Sequence, residues 1–272
     1  MPLKLMYITN RTDVAKIAED VGVDRIFVDL ELIGKEKRQA NFDTVISKHS
    51  VNDVRLLRSE LTKAELLVRI NPIYDNSEQE INEVIAAGAD IIMLPYFKTV
   101  EEVKKFFEHV GGRVKTILLF ETPESVEKID EILAIPEINE VYIGLNDLHL
   151  GYKKKFMFEL MANGTVDEIC SHFKAKNLPF GVGGIARLGK GTLPSERIIA
   201  EHYRLGSGSA ILSRSFCNVD KIDSIEKIQQ IFSQGVKEIR DYEKTIEDKS
   251  PEFFRDNHET ITQLVDVIVN RK

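Results

Sequence analysis

Residues 87–95 read AGADIIMLP, in which a glycine and two further residues precede an apolar run of strand length. The same order recurs in VGVDRIFVD at residues 21–29 and in LGSGSAILS at residues 205–213. A glycine suits the left-handed turn that ends a helix, and an unbroken apolar run suits a strand buried on both faces. We interpret each phrase as the end of a helix followed by a buried parallel strand.

Strand-length apolar runs alternate with amphipathic stretches along most of the chain. Eight strands are predicted, at residues 5–9, 25–30, 66–70, 91–94, 116–120, 140–144, 179–182 and 209–213. Helical periodicity is clearest at residues 12–21, 78–87, 100–107, 125–133 and 195–203. This alternation predicts a single (β/α)8 TIM barrel of the α/β class with an extra C-terminal helical tail. We expect residues 1–219 to form the barrel core, and residues 220–272 to form the last barrel helix and a helical extension. This extension is predicted to aid assembly of a homo-oligomer, and a simple surface helix is the alternative.

The composition excludes two classes of partner. There are 37 basic and 44 acidic residues, a net charge of −7, and the one basic block, residues 153–155, has no aromatic residues interleaved with it. Nucleic acid is therefore not an expected partner. No apolar stretch approaches the roughly 20 residues that span a bilayer, and no basic segment followed by an apolar core opens the chain. We expect a cytoplasmic protein that acts on a small molecule.

Three charged side chains follow predicted strands, where a barrel carries its active site. They are Arg69 in VRINP, Glu121 in FETPESV and Asp147 in IGLNDLHLGY. Two hard oxygen ligands on one rim predict a site for Mg²⁺ or Mn²⁺, and a guanidinium beside it could bind a substrate carboxylate. Structural roles stay open: a favourable charge at a helix start for Glu121, a helix cap for Asp147, and an ion pair for Arg69.

Asp29 and Glu31 lie two residues apart in FVDLELIGKEKR, so in a strand they point to the same face. Two buried carboxylates on one face need partners. We favour an acidic pair that serves Arg69 or the waters of the metal and takes part in catalysis. The alternative is a salt bridge to a basic residue that follows, namely Lys35, Lys37 or Arg38.

Five strings in this order, FVDLELIGKEKR, VRINP, GADIIMLP, FETPESV and IGLNDLHLGY, resemble the family of HpcH/HpaI aldolases and citrate lyase β subunits. The resemblance covers residues 5–216, roughly. It implies that Glu121 and Asp147 bind Mg²⁺ or Mn²⁺ and that Arg69 binds the substrate. It also implies that the backbone amides of Asn146 and Asp147 hold the carboxylate of a keto acid.

The activity that this resemblance implies is that of a class II, divalent-metal-dependent aldolase, a carbon–carbon lyase of the EC 4.1 type. Its substrate would be a 2-keto acid or a hydroxy-keto acid, cleaved or formed through a pyruvate-like enolate. A divalent ion chelated by the carboxylate and keto oxygens of such a substrate acts as a Lewis acid and stabilises the enolate.

The chain departs from the family at three positions: Leu32, Leu119, where the aldolases have a glutamine, and Tyr96. Leu32 stands where the aldolases have an acid/base histidine and the citrate lyase β subunits have an aspartate, and a leucine carries no proton. The acid/base is then a water on the metal, Glu31 or a residue of another loop; His149, close after Asp147, is a candidate. The remaining histidines, including His49, are interpreted as surface or packing residues. Tyr96 replaces a lysine of the lyases, which argues against a substrate linked to coenzyme A.

Other functions remain open. The absent acid/base favours a barrel that binds a keto acid without turnover, as a sensor or an assembly subunit. GLNDL also resembles the GTNDL motif of phosphoenolpyruvate-utilising enzymes, which allows chemistry on an ester of that kind. The segment GVGGIARLGKGTLP follows the seventh predicted strand, where barrels often bind phosphate. A phosphate or acidic tail could contact Arg187, Lys190 or Arg214, although a turn-rich loop explains the segment as well.

Overall fold

The computed structural model describes residues 2–35 and 48–271. Eight parallel strands form a closed barrel in chain order, as predicted. The strands are β1 (Lys4–Ile8), β2 (Arg25–Asp29), β3 (Glu65–Arg69), β4 (Ile91–Leu94), β5 (Lys115–Phe120), β6 (Glu140–Ile143), β7 (Phe180–Ile185) and β8 (Ser209–Leu212). Pairing of β1 with β8, which places Leu5 opposite Ala210, closes the ring.

Helices surround this barrel. Within the described ranges they are α1 (Thr12–Asp20), α2 (Val51–Glu60), α3 (Ser77–Ala86), α4 (Val100–Val110), α5 (Pro123–Glu127), α6 (Ile129–Ile132), α7 (Leu145–Gly151), α8 (Glu159–Ala162), α9 (Thr165–Ala175), α10 (Ser195–Leu205), α11 (Ile225–Ile246) and α12 (Pro251–Asn270). A single 3₁₀ turn, Val219–Lys221, precedes α11 in the same part of the chain. Among these helices, none has the length and apolar character that a membrane crossing demands.

The glycines predicted to end helices adopt the left-handed backbone. Gly22, Gly88 and Gly206 have φ angles of 91°, 98° and 72°, and each precedes a strand. The helix predicted over residues 125–133 is wrong in one respect, because Lys128 interrupts it with φ −105° and ψ 18°. Thr122 and Pro123 begin the first of the two short helices, α5, since the threonine hydroxyl accepts from the Ser125 N–H.

Two apolar cores hold the barrel together. The interior is filled by side chains that point inward from the strands: Met6, Phe27, Leu67, Ile91, Met93, Ile117, Leu119 and Tyr142. The outward strand residues and the apolar faces of the helices form a second, larger core around it. Because both faces of each strand are covered, the strand sequences read as apolar runs without alternation. At the amino-terminal end, the buried Arg25 side chain binds Glu140 through both terminal nitrogens, at 2.8 and 2.6 Å.

The predicted C-terminal tail consists of α11 and α12, and both pack on the chain's own barrel. Glu243 of α11 accepts a hydrogen bond from the Leu3 N–H at 2.7 Å, and Arg240 donates to the Leu3 carbonyl at the same distance. Asn257 of α12 donates to the Arg197 carbonyl of α10 at 3.0 Å. The tail therefore covers the strand ends and helices of its own subunit, and its part in assembly stays a prediction.

His202 makes the stability of the fold sensitive to acid. It is fully buried in α10, where its Nδ1 lies 2.8 Å from the Ser207 hydroxyl, and burial lowers its pKa to about 4, against the opposing charge of Glu201. An unfolded histidine titrates near pH 6.5, roughly. Below pH 6.5, roughly, the unfolded chain therefore binds a proton at His202 that the folded chain does not bind. The stability that His202 contributes is complete above its unfolded pKa and is lost as the pH falls toward its folded pKa.

We expect the free energy of unfolding to fall by about 2 kcal/mol more between pH 7 and pH 5 in the native protein than in a His202→Asn variant. Asparagine keeps a polar partner for the Ser207 hydroxyl but does not titrate. Urea unfolding at the two pH values measures the difference. Equal losses in both proteins would show that His202 does not carry the effect.

Candidate active site at the mouth of the barrel

A cavity of about 670 Å³ opens at the carboxyl ends of the strands. Every strand contributes one or more side chains or glycines to its wall; one from each, in order, are Tyr7, Phe27, Arg69, Met93, Leu119, Tyr142, Gly183 and Ile211. Its rim includes Asp29, the last residue of β2, and residues that follow β5 and β6, namely Glu121, Asn146 and Asp147. The structure thus brings most of the residues selected from the sequence to one cavity.

Asp29 and Arg69 form a buried, bidentate ion pair that borders this cavity. The Asp29 carboxylate accepts from Arg69 Nε at 2.9 Å and from Nη2 at 2.8 Å, and Lys35 Nζ donates to it at 2.7 Å. Burial alone would raise the pKa of Asp29, but the charges of Arg69 and Lys35 hold it well below its usual range. Asp29 therefore stays ionised and fixes the plane of the guanidinium, which also lies over the Phe27 ring at 5.5 Å.

Glu31 completes the acidic pair predicted from the sequence. It is fully buried, and its Oε2 lies 3.4 Å from Arg69 Nε and 3.5 Å from Lys35 Nζ. The two carboxylates contact both Arg69 and Lys35, and their part in catalysis stays a prediction. Lys37 and Arg38 lie outside the described residues. Glu31 is not among the described residues that border the cavity. It contacts the cavity wall through Arg69 and Lys35.

Leu32, at the position of the family's acid/base residue, is not among the described residues that border the cavity. Its side chain is 49% exposed, and Asn71 accepts hydrogen bonds from the N–H groups of Leu32 and Ile33 at 2.8 and 2.9 Å. Asn71 in turn donates to Glu80 of α3 at 2.8 Å. The segment after β2 is therefore held by β3 and α3, and no proton donor stands at this position.

Glu121 follows β5 and is buried at the rim. Its Oε1 accepts from the Tyr96 N–H at 3.0 Å, which Tyr96 presents from a left-handed backbone with φ 49°. On its other side lies Gly144: a Cβ added there would come within 2.7 Å of Glu121 Oε2. The glycine of the GLND turn is thus required for the close approach of Glu121 to the segment that carries Asp147.

Asp147 lies in the first turn of α7, three residues after Gly144, and is buried beside the cavity. Burial would lower the pKa of Arg69, but the charges of Asp29 and Glu31 raise it. The negative charge of Glu121 also contributes to this rise. Two carboxylates next to one turn, with oxygen as the donor atom, suit a hard divalent cation. The residues present therefore fit the Mg²⁺ or Mn²⁺ site that the resemblance implies.

A second acidic cluster lies on the outer helices. Single ligand atoms of Asp167, Glu201 and His258 are within 4.8 Å of one another. Arg204 already binds this cluster, with Nη1 at 2.6 Å from Asp167 and Nη2 at 2.6 Å from Glu201. The guanidinium therefore compensates the negative charge of this cluster.

Three further residues selected from the sequence, His149, Arg187 and Lys190, are not among the described residues that border the cavity. His149 is buried on α7 with its Nδ1 3.2 Å from the Leu145 carbonyl, and it is not among the described residues that border the cavity. Lys190 is exposed, and neither it nor Arg187 is among those lining residues, whereas Arg214 is. The interpretation of His149 as acid/base therefore has no geometric support.

His49, which the sequence analysis interprets as a surface or packing residue, is half-buried beside the candidate site. It precedes α2 and borders the cavity, and its Nδ1 accepts a hydrogen bond from the Asp29 N–H at 3.0 Å. Burial lowers the pKa of its imidazole. No motif marks this histidine, because its contact with Asp29 spans 20 residues of chain.

Two solved structures share the fold of this chain. The crystal structure of an HpcH/HpaI aldolase from Desulfitobacterium hafniense DCB-2 has a TM-score of 0.62, with 15% identity over 88% of this chain and 93% of that one. An HpcH/HpaI aldolase/citrate lyase family protein from Burkholderia cenocepacia J2315 has a TM-score of 0.59, with 11% identity over 84% and 95%.

At these identities the structural likeness shows the shared fold alone. No curated protein sequence matches the chain. A sequence profile of a family does match, however, over residues 4–178, which is more than half of the chain. The chain belongs to the HpcH/HpaI aldolase/citrate lyase family.

Proposed function

We propose that the protein is a divalent-metal-dependent aldolase that cleaves or forms a carbon–carbon bond of a 2-keto acid through a pyruvate-like enolate. Membership of a family of aldolases and lyases supports an enzyme in general. The observation that carries the finer proposal is the convergence of Glu121, Asp147 and the Asp29-bound Arg69 on one cavity at the mouth of the barrel.

Glu121 and Asp147 would hold Mg²⁺ or Mn²⁺. When bound, this cation supplies positive charge that stabilises the negative charge on the keto oxygen of the substrate. Removal of the charge of either carboxylate would weaken the site, because hard cations of this kind depend on oxygen ligands.

Arg69 binds and orients the keto acid. Its Nε and Nη2 donate to Asp29, whereas Nη1 takes no part in this ion pair. The Arg69 side chain borders the cavity. A fixed cation next to the site where charge develops needs no reorganisation during the reaction. Following the pattern of the family, we assign the backbone amides of Asn146 and Asp147 to the substrate carboxylate.

Half-exposed Leu32 favours a second candidate, a barrel that binds a keto acid without turnover. Exchange of the C3 protons of pyruvate with deuterated solvent, followed by proton NMR, separates the two. We expect exchange with Mg²⁺ or Mn²⁺ and none after chelation. Pyruvate that binds in the presence of metal but does not exchange would support the sensor and refute the aldolase.

A further inference from the structure

His49 is held at the cavity by a hydrogen bond, and the mechanism proposed above gives it no role. It is half-buried just ahead of α2 and borders the cavity, and the backbone N–H of Asp29 donates to its Nδ1 at 3.0 Å. The same aspartate holds Arg69 through its carboxylate. Asp29 thus positions two groups of the cavity, one through its side chain and one through its backbone.

The hydrogen bond to Nδ1 determines which nitrogen carries the proton. A backbone N–H can only donate, so Nδ1 must be the unprotonated nitrogen of the ring. In the neutral imidazole the proton then lies on Nε2. Protonation of Nδ1 would place two N–H groups against each other and break the bond to Asp29.

Burial, rather than the surrounding charges, favours the neutral form of the ring. Burial lowers the pKa of His49, and Lys35 adds to this effect, whereas the carboxylates of Asp29, Asp53 and Asp220 oppose it. Asp29, the first of these carboxylates, is already engaged by Arg69 and Lys35. Burial and the fixed N–H of Asp29 therefore favour the same state, a neutral ring with its proton on Nε2.

We propose that His49 is a catalytic residue that donates a hydrogen bond from its neutral Nε2–H to a substrate oxygen that gains negative charge in the transition state, and that it does not act as a base. This inference rests on the proposed aldolase function. No proton is transferred in this role. A neutral imidazole held by a backbone N–H is a known way to polarise a substrate oxygen.

Histidine NMR of the full chain tests the state of the ring. In ¹⁵N-histidine-labelled protein, with the His49 signals assigned by a His49→Gln variant, we expect an unprotonated Nδ1 and a protonated Nε2 at pH 7. Addition of pyruvate with Mg²⁺ should shift the Nε2 signal more than the Nδ1 signal. A proton on Nδ1, a doubly protonated ring, or an Nε2 signal that does not respond to bound pyruvate would overturn the proposal.

Two substitutions separate donor from acceptor. Asparagine at position 49 can keep the acceptor for the Asp29 N–H but has no group at Nε2, so His49→Asn should lower kcat/KM for C3 exchange by about 10²-fold. Glutamine can place an N–H near Nε2, so His49→Gln should recover about tenfold of that loss without a new pH dependence. His109→Gln, on α4 far from the mouth, is the matched control and should stay within about twofold.

The outcomes distinguish the inference from the function on which it rests. If the native protein exchanges pyruvate protons but His49→Asn does so equally fast, the inference fails and the aldolase stands. The same holds if His49→Gln is as slow as His49→Asn and the acid limb of the native pH profile disappears with it, because that pattern marks a base. If the native protein shows no exchange, the aldolase fails and, with it, the catalytic role of His49.

Discussion

An Arg69→Lys variant is expected to exchange the C3 protons of pyruvate with a kcat/KM about 10³-fold below that of the native protein. Lysine keeps the charge but has one nitrogen, which can serve either Asp29 or the substrate. The native guanidinium serves Asp29 with two nitrogens, at 2.9 and 2.8 Å, and still borders the cavity. The substitution therefore separates the shape of the cation from its charge.

The burial of Arg69 makes this loss large. Its side chain is 14% exposed, and it faces two carboxylates, Asp29 and Glu31, that are almost fully buried. A lysine drawn toward these carboxylates would leave the cavity without a cation at the substrate. Because ground-state binding and transition-state stabilisation both use this group, we expect KM to rise and kcat to fall together.

Arg58→Lys is the matched control. Arg58 also pairs with an aspartate, Asp90, at 2.6 Å, but it lies outside the cavity. We expect its kcat/KM to stay within about twofold of the native value, because exposed ion pairs contribute little. An Arg69→Lys variant that folds and exchanges pyruvate protons as fast as this control would remove Arg69 from the mechanism.

A Glu121→Gln variant is expected to lose about 10³-fold of the exchange rate at a fixed, subsaturating concentration of Mn²⁺. Glutamine preserves the volume between Tyr96 and Gly144, and its amide oxygen can still accept from the Tyr96 N–H. The charge that would bind the cation is lost, so part of the activity should return at high Mn²⁺ concentration. Steady-state rates over a range of metal concentrations measure both effects.

Glu124→Gln serves as its control. Glu124 lies three residues further on, in the first turn of α5, where it is 43% exposed and pairs with Lys98 at 2.8 Å. We expect unchanged exchange rates at every metal concentration. If Glu121→Gln behaved like Glu124→Gln, the role of Glu121 at a helix start would be sufficient and the metal assignment would fail.

The barrel and its rim could be predicted from local sequence because both follow from short-range patterns. Glycines before apolar runs mark the turns ahead of β2, β4 and β8, and residues that end strands must meet at one rim. Glu121, Asp147 and Arg69 reach the cavity for that reason. The single helix predicted over residues 125–133 was wrong because periodicity does not show where one residue, Lys128, leaves helical geometry.

The assignment of His149 could have been questioned from the sequence alone. Successive residues of an α-helix are turned by about 100°, so positions two apart point in nearly opposite directions. If Asp147 on α7 faces the cavity, His149 faces away, and its ring instead meets the Leu145 carbonyl one turn earlier. The proximity of two residues in sequence was misleading here.

His49, by contrast, could not be predicted. It stands between β2 and α2, outside any periodic stretch, and reaches the cavity only because the closed barrel brings it to the end of β2. Asp29 makes hydrogen bonds with Arg69, Lys35 and His49 at once, and this too is a property of the fold. Contacts of this kind join residues far apart in the chain and leave no local pattern.

Binding of Mn²⁺, measured by titration calorimetry with electron paramagnetic resonance to count free ions, tests the central claim most directly. We predict one bound ion per native chain, and an affinity at least about 10²-fold lower in both Glu121→Gln and Asp147→Asn, because loss of a ligand should exceed the effect of losing an outer partner. Asp167→Asn, in the cluster that Arg204 compensates, should bind as the native chain does. Full affinity in Glu121→Gln, or a loss confined to Asp167→Asn, would contradict the account.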